Sequence, residues 1–348
     1  VMSDNFRTYS PDWIPPDAPV AEPTPSPRWV LRREGAITDF ERRLRRLGQQ
    51  VAPRGLAGVR EIAPSLFDIA TDERTLKLAW EYLAKEGGHA PGPDGLTYTD
   101  FTDEEVWLLL RGTRDELRSG EYEFLPGRVV RIPKPAGRGV RTLLLPRILD
   151  RVVQRAMVAV LQPFLDPLFV KTSFGFRPAP YGGHQRAVAT AEHLYTVGKL
   201  GAWVVADLRD AFGSVPIPRL LDVVGTYLPA VDLRRLIRKA VTAESPPQLA
   251  QGSPVAPLLL NLYLHHTLDR PWSKAHPQWP LLRFADDLLV LCPTAEEADE
   301  AYGALAERVG SIGFQIKERR ADAVRDVAGG RVASWMGYDF RGSRKGLR

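Results

Sequence analysis

Arg283-Phe284-Ala285-Asp286-Asp287-Leu288-Leu289-Val290-Leu291 sets two adjacent carboxylates in the middle of an otherwise apolar run. Leu281, Leu282 and Phe284 before the pair, and Leu288 to Leu291 after it, read as two short strands joined by a tight turn. Ionised carboxylates buried without a partner are costly, so the pair needs a cation or water. A divalent-metal site on a hairpin turn meets the first need. A solvated Asp-Asp turn, held by side-chain bonds to the backbone, meets the second. The nonapeptide alone leaves both readings open.

Other elements can be placed around this hairpin. Residues 1 to 27 carry seven prolines and few aliphatic side chains, the composition of an extended or disordered leader. Thr38-Asp39-Phe40-Glu41 has the form of a capping box. It opens a short basic helix with Phe40, Leu44 and Leu47 on one face and Arg42, Arg43, Arg45 and Arg46 mainly elsewhere, either a solvated face or an RNA-backbone contact. A helix is expected from Asp72 to Lys85, then a Pro91-Gly92-Pro93-Asp94-Gly95 loop. Arg128 to Pro133 and Val140 to Leu145 form a candidate hairpin around Lys134 to Gly139.

Further helices are expected at Arg147 to Leu165, broken near Pro163, and at His184 to Lys199, Ile217 to Leu228 and Asp232 to Val241. Gln251 opens another that runs to Leu268, and Thr294 one that runs to Ser311. Ala202 to Asp207 is a buried strand ending in a carboxylate. Short strands at Phe314 to Lys317 and Trp335 to Phe340 complete the pattern, and no internal repeat is seen.

Composition bounds the chemistry. A single cysteine, Cys292, excludes an internal disulfide, and six histidines with one thiol exclude a Cys-rich zinc site, which points to a reducing cytoplasm. There is neither an apolar run long enough for a membrane span nor a signal-peptide pattern, so no membrane partner is expected. A formal charge of +5 and a pI near 9.3 suit phosphate-rich partners, though only weakly. The length of 348 residues leaves room for two or three subdomains.

Read in order, Asp207 at a strand end, the Gln251-Gly252-Ser253-Pro254 turn and the Asp286-Asp287 pair form a series. The chain resembles reverse transcriptases, most closely the bacterial group II intron-like class. The resemblance rests on Gly92-Pro93-Asp94-Gly95, Arg131-Ile132-Pro133-Lys134-Pro135, Asp150-Arg151-Val152-Val153-Gln154, Ser173-Phe174-Gly175-Phe176-Arg177-Pro178, Asp207 through Phe212, Gln251 through Pro254, Phe284 through Asp287, and Met336-Gly337-Tyr338. These segments are colinear over about residues 90 to 340.

The resemblance implies an α+β fold, the fingers and palm of a right-hand polymerase, with a small antiparallel palm sheet backed by helices and the thumb largely absent. It implies a leader at 1–35, a basic extension at 36–70, fingers at 71–200, palm at 201–340 and the start of a thumb at 341–348. It implies RNA-directed DNA synthesis from deoxynucleotides on an RNA template with a DNA or RNA primer. Asp207, Asp286 and Asp287 match catalytic and metal-binding positions, with Leu208 beside them at the metal and nucleotide site, and two Mg²⁺ ions, or Mn²⁺ in their place, as cofactors. Phe212 matches a steric gate against a ribose 2′-hydroxyl. Lys134 and Arg141 match holders of the incoming triphosphate, with Arg131 and Arg138 assisting, and Gln251 and Gly252 line the nucleotide and template. Arg131, Arg177, Trp335, Met336, Gly337 and Tyr338 match nucleic-acid contacts.

Two departures stand out. Where the family usually carries a lysine that protonates the leaving group, this chain offers Arg319-Arg320 with Lys317 nearby, and arginine does not readily give up a proton. The sequence also stops at Arg348, which leaves three readings open: a truncated polypeptide, a stand-alone enzyme whose thumb is supplied by a structured non-coding RNA or a separate protein, or a degenerate scaffold. The settings implied are phage defence, CRISPR adaptation or a mobile element. Template-independent or protein-primed synthesis, and a non-catalytic RNA-binding scaffold, are the alternatives.

Overall fold

The computed structural model describes residues 28–133, 140–342 and 344–347. The proline-rich leader up to residue 27, and Lys134 and Arg138, lie outside the described residues. Two compact units are each assembled from separate stretches of chain. One comprises Phe169–Ser214 with Tyr263–Arg348; the other comprises the described part of Pro23–Leu168 with Val215–Leu262.

The first unit is built on an antiparallel sheet of β3 (Ala202–Asp207), β4 (Leu281–Phe284), β5 (Asp287–Cys292) and β6 (Val324–Asp326), in the order β4-β5-β3-β6. Both faces of this sheet are covered, which explains why β5 is apolar without alternation. Trp203, Leu282, Leu289 and Leu291 pack with helix α6 (His184–Thr196) and with Ala333, Trp335 and Phe340 of a second sheet. Helix α11 (Ala295–Ser311) packs across β3, β5 and β6. Leu288 to Cys292 are fully buried, and each such aliphatic side chain contributes roughly 1.5–3 kcal/mol.

The second unit is mainly helical: α1 (Arg28–Val51), α2 (Gly55–Ala70), α3 (Glu73–Glu86), α4 (Asp103–Ser119), α5 (Ile148–Leu165), α7 (Ile217–Tyr227) and α8 (Val231–Val241), with a two-stranded ribbon of β1 (Arg128–Pro133) and β2 (Val140–Leu145). Its polar motif residues are buried braces. Asp150 accepts hydrogen bonds from the Tyr122 hydroxyl, the Leu125 amide and Arg147. Arg151 donates to the carbonyls of Pro146, Gly88 and Ala90, so it fastens the chain leading into the Pro91–Gly95 loop. The Ser253 hydroxyl donates to Gln154 at 2.5 Å.

Several boundaries differ from the sequence reading. Helix α1 begins at Arg28, so Thr38-Asp39-Phe40-Glu41 lies inside it and caps nothing; Leu31, Arg32, Arg33 and Glu34 are good helix formers and carry the helix through. Pro163 sits within α5, two residues from its end, and does not break it. Helix α6 stops at Thr196, and the helix after Gln251 begins at Ala256, runs to Leu264 and passes into a π turn at His265–Asp269. Phe314 to Lys317 is not a strand but a segment bridged to Leu208 at Ile316. Trp335 to Phe340 is two strands, β7 (Ala333–Trp335) and β8 (Tyr338–Arg341), because Met336 and Gly337 take positive φ angles of 52° and 78° and reverse the chain; β9 (Arg344–Leu347) completes that sheet. Among the described residues, no helix is long and apolar enough to cross a membrane.

Candidate active site

The pairing of β3 with β5 sets Asp207 directly opposite Asp287, and the pairing of β4 with β5 leaves Ala285 and Asp286 as a two-residue turn. Alternation along the strands puts Asp207 and Asp287 on the face that carries Trp203 and Leu291. The turn is fixed by its backbone. The Asp286 carbonyl accepts the Leu208 amide at 3.1 Å, and Ala285 is held at a φ of 59°, a region disfavoured for a residue with a Cβ. Gly175 is pressed against this turn: a Cβ there would lie 2.2 Å from the Ala285 nitrogen. That close approach accounts for the glycine in Ser173-Phe174-Gly175-Phe176.

Beneath the turn, Arg283 is only 1 % exposed. Its guanidinium donates to both oxygens of Asp269, at 2.9 and 2.7 Å, to the Ser173 hydroxyl at 2.8 Å and to the Ala285 carbonyl at 3.1 Å. One buried cation thus ties the π turn, the 173–177 loop and the carboxylate turn together.

Electrostatically the site is crowded with negative charge. Burial, then the charges of Asp207 and Asp286, raise the Asp287 carboxyl to about 7. Burial raises Asp207 to about 6, with Asp286 and Glu318 adding to the effect and Lys317 opposing it. Lys317 Nζ donates to Asp207 Oδ2 at 2.5 Å, the Lys317 amide donates to the Asp207 carbonyl, and the Asp207 amide donates to Glu318 at 2.7 Å. Asp207 Oδ1 is buried with no hydrogen-bond partner among the described residues. An orphaned carboxylate oxygen beside raised carboxyls is the setting a divalent cation relieves. No three ligating side chains converge into a ready-made protein cage among the described residues.

A family model described as "Reverse transcriptase (RNA-dependent DNA polymerase)" matches residues 132–338. The chain belongs to the reverse transcriptase family. Protein YkfC of Escherichia coli (strain K12) is 33% identical over 53% of this chain and 50% of its own length. Group II intron-encoded protein LtrA of Lactococcus lactis subsp. cremoris is 26% identical over 49% of this chain and 28% of its own. The matches thus span half or less of these curated relatives. Among solved structures, one titled "Partial Cas6-RT-Cas1--Cas2 complex" aligns with a TM-score of 0.40 and 22% identity, covering 71% of this chain and 41% of that one.

The structure distributes the sequence-expected residues unevenly across this chain. Asp207, Asp286, Asp287, Leu208 and Phe212 lie in one unit, Phe212 edge-on to Phe176 with centroids 6.1 Å apart. Arg131, Arg141, Gln251 and Gly252 lie in the other. There the Gln251 carbonyl accepts the Leu144 amide of β2, and a Cβ on Gly252 would lie 2.6 Å from the Leu144 oxygen, so the β2 backbone requires a glycine here. Arg131 faces Thr142 and Ile132 faces Arg141, so alternation sends the two exposed arginines to opposite faces of the ribbon.

Two of the expected nucleic-acid contacts are buried. Arg177 is buried, donates to the carbonyls of Val170 and Ser173 and packs over the Phe169 and Tyr181 rings. Trp335 is 3 % exposed and belongs to the core. Met336, Gly337 and Tyr338 keep accessible surface on the β7–β8 turn, where His184 hydrogen-bonds the Met336 carbonyl and packs on Tyr338. Sequence reasoning missed the roles of Arg283, Asp269, Lys317 and Glu318. A charged residue inside the Leu281–Phe284 strand was the available signal for the first.

Proposed function

We propose that this chain is an RNA-directed DNA polymerase, adding deoxynucleotides to a primer 3′-hydroxyl on an RNA template. The observation that carries the reading is the strand register that sets Asp207 opposite Asp287 beside Asp286, with an unpartnered Asp207 oxygen. Mg²⁺ is the ion favoured by an all-oxygen donor set, and Mn²⁺ its substitute. Asp207 and Asp286 are the proposed metal ligands, with Asp287 holding the charge of the site from the opposite strand. When bound, such ions make the primer hydroxyl a better nucleophile and neutralise the leaving pyrophosphate.

The chain's own residues do the rest. Leu208 fastens the turn through its amide. Phe212, braced by Phe176, takes the place beneath the sugar and leaves no room for a 2′-hydroxyl. Arg141 on one face of the β1–β2 ribbon is proposed to hold triphosphate, and Arg131 on the other to contact nucleic acid.

Primer extension on an RNA template, with and without Mg²⁺, tests the reading. Phe212→Ala should raise the kcat/KM ratio of ribonucleotide to deoxynucleotide by roughly 10–100-fold, the scale of discrimination by a pocket's shape. An unaltered ratio would remove Phe212 from the gate.

The raised carboxyls give a second check without turnover. Asp207 and Asp287 titrate at about 6 and about 7 when folded, against an ordinary 3.8, so the folded metal-free protein binds more protons than the unfolded chain between those values. Stability of the metal-free protein is therefore expected to fall as pH rises from about 4 to about 7 through these two groups. Mg²⁺ should restore the thermal midpoint at pH 8 and do little at pH 5, where the carboxyls are protonated. A Mg²⁺-induced shift equal at both pH values would contradict the placement of the metal.

A further inference from the structure

A cleft of about 650 Å³ opens in the helical unit, lined by Arg60 of α2, Asp222 and Thr226 of α7, and Arg234, Arg235 and Arg238 of α8. Four guanidinium groups face a single carboxylate there. None of these residues belongs to the unit that carries Asp207, Asp286 and Asp287.

The arginines are not equivalent. Arg60 donates through Nε to the Thr226 carbonyl at 2.7 Å, which fixes its plane and leaves its terminal nitrogens for a ligand. Arg235 is bonded to Asp232 at 2.6 Å. Arg234 and Arg238 are exposed and have no side-chain partner among the described residues. Elsewhere in the same unit, guanidinium groups find carboxylates, as Arg42 does with Asp39 and Arg114 with Glu73. Helix α8 buries Leu233, Leu236, Ile237 and Val241, so its basic face is turned outward by the helix period. Arg234 and Arg238 are one turn apart, about 6 Å at Cβ, a step that lets two planar forks take successive phosphates of one strand.

We infer that this cleft binds the phosphodiester backbone of RNA, as a contact additional to the carboxylate site. No aromatic side chain lines it among the described residues, which gives bases no stacking platform there and makes the contact blind to sequence. Apolar lining is confined to Leu221, Val224 and Val231, too little to anchor a folded protein partner.

Fluorescence anisotropy with a labelled single-stranded RNA oligonucleotide, titrated at several salt concentrations, tests this. Arg234→Glu/Arg238→Glu should weaken binding at least about tenfold and flatten the log–log salt slope by about 1.4, the release expected for two phosphate contacts on a single strand. Arg74→Glu/Arg331→Glu changes net charge equally at exposed positions outside the cleft and should leave the slope nearly intact. If the glutamate pair does not fold, Arg234→Gln/Arg238→Gln must give the same direction of change. The cleft variant should keep its kcat on a preformed primer–template hybrid at saturation, which separates this contact from the polymerase reading. Equal losses in the two charge-reversed pairs, or an unchanged slope in the cleft pair, overturn the inference. So does displacement of RNA by inorganic tripolyphosphate at matched phosphate concentration, which assigns the cleft to a free polyphosphate. Binding of polyglutamate that depends on Arg234 and Arg238 while RNA binding does not would assign it to an acidic protein.

Discussion

Asp286→Ala is expected to abolish primer extension, with a loss on the order of 10³-fold or more, since metal-assisted stabilisation of the transferring phosphoryl group amounts to several kcal/mol. The geometry makes this substitution informative. Asp286 sits at the tip of the β4–β5 turn, and the hydrogen bond that holds the tip to β3 comes from its main-chain carbonyl, so alanine keeps it. Its charge raises both Asp207 and Asp287. Removing it relieves repulsion, and the metal-free variant should be at least as stable as the parent at neutral pH. Loss of extension with an unchanged or higher thermal midpoint is the expected pair of results. Full extension in the variant would leave the carboxylate centre without a role in catalysis.

Lys317 sharpens the same test. It bonds to Asp207 across 110 residues of sequence and partly neutralises the carboxylates. No local pattern announces such a pair, because the residues meet only when the segment after α11 docks on the end of β3. The hairpin itself was legible for the opposite reason: an apolar run interrupted by two aspartates admits few structures, and the pairing of Phe284 with Asp287 is the one it suggests. The order of Asp207, Gln251 and Asp286 was legible as chemistry. Which motif residues face a ligand was not. Arg177, Trp335 and Gly252 have the residue types of contacts, yet the first two are buried and the third is packed against the β2 backbone. Burial depends on what folds over a residue, and the sequence of its own segment does not hold that information.

Asp269→Ala is expected to destabilise the unit that carries the carboxylates by about 3–5 kcal/mol, the cost of stranding a buried charge. Asp269 takes two of the Arg283 bonds; others go to the Ser173 hydroxyl and the Ala285 carbonyl, and at 1 % exposure the guanidinium has almost no access to water. Chemical denaturation followed by tryptophan fluorescence reads this unit in a background with Trp29, Trp80 and Trp107 of the other unit replaced by Phe, since Trp203, Trp272, Trp279 and Trp335 all lie within it and are buried. The double variant Asp269→Leu/Arg283→Met should recover much of the loss, because removing both charges removes the desolvation penalty as well. Activity should not recover with stability. Without the guanidinium, the Ala285 carbonyl loses its bond to the side chain that also holds Ser173, and the turn bearing Asp286 loses one of the braces that keep Ala285 at its unfavourable φ. A double variant that regained both stability and primer extension would show that Arg283 supports the fold without positioning the carboxylates.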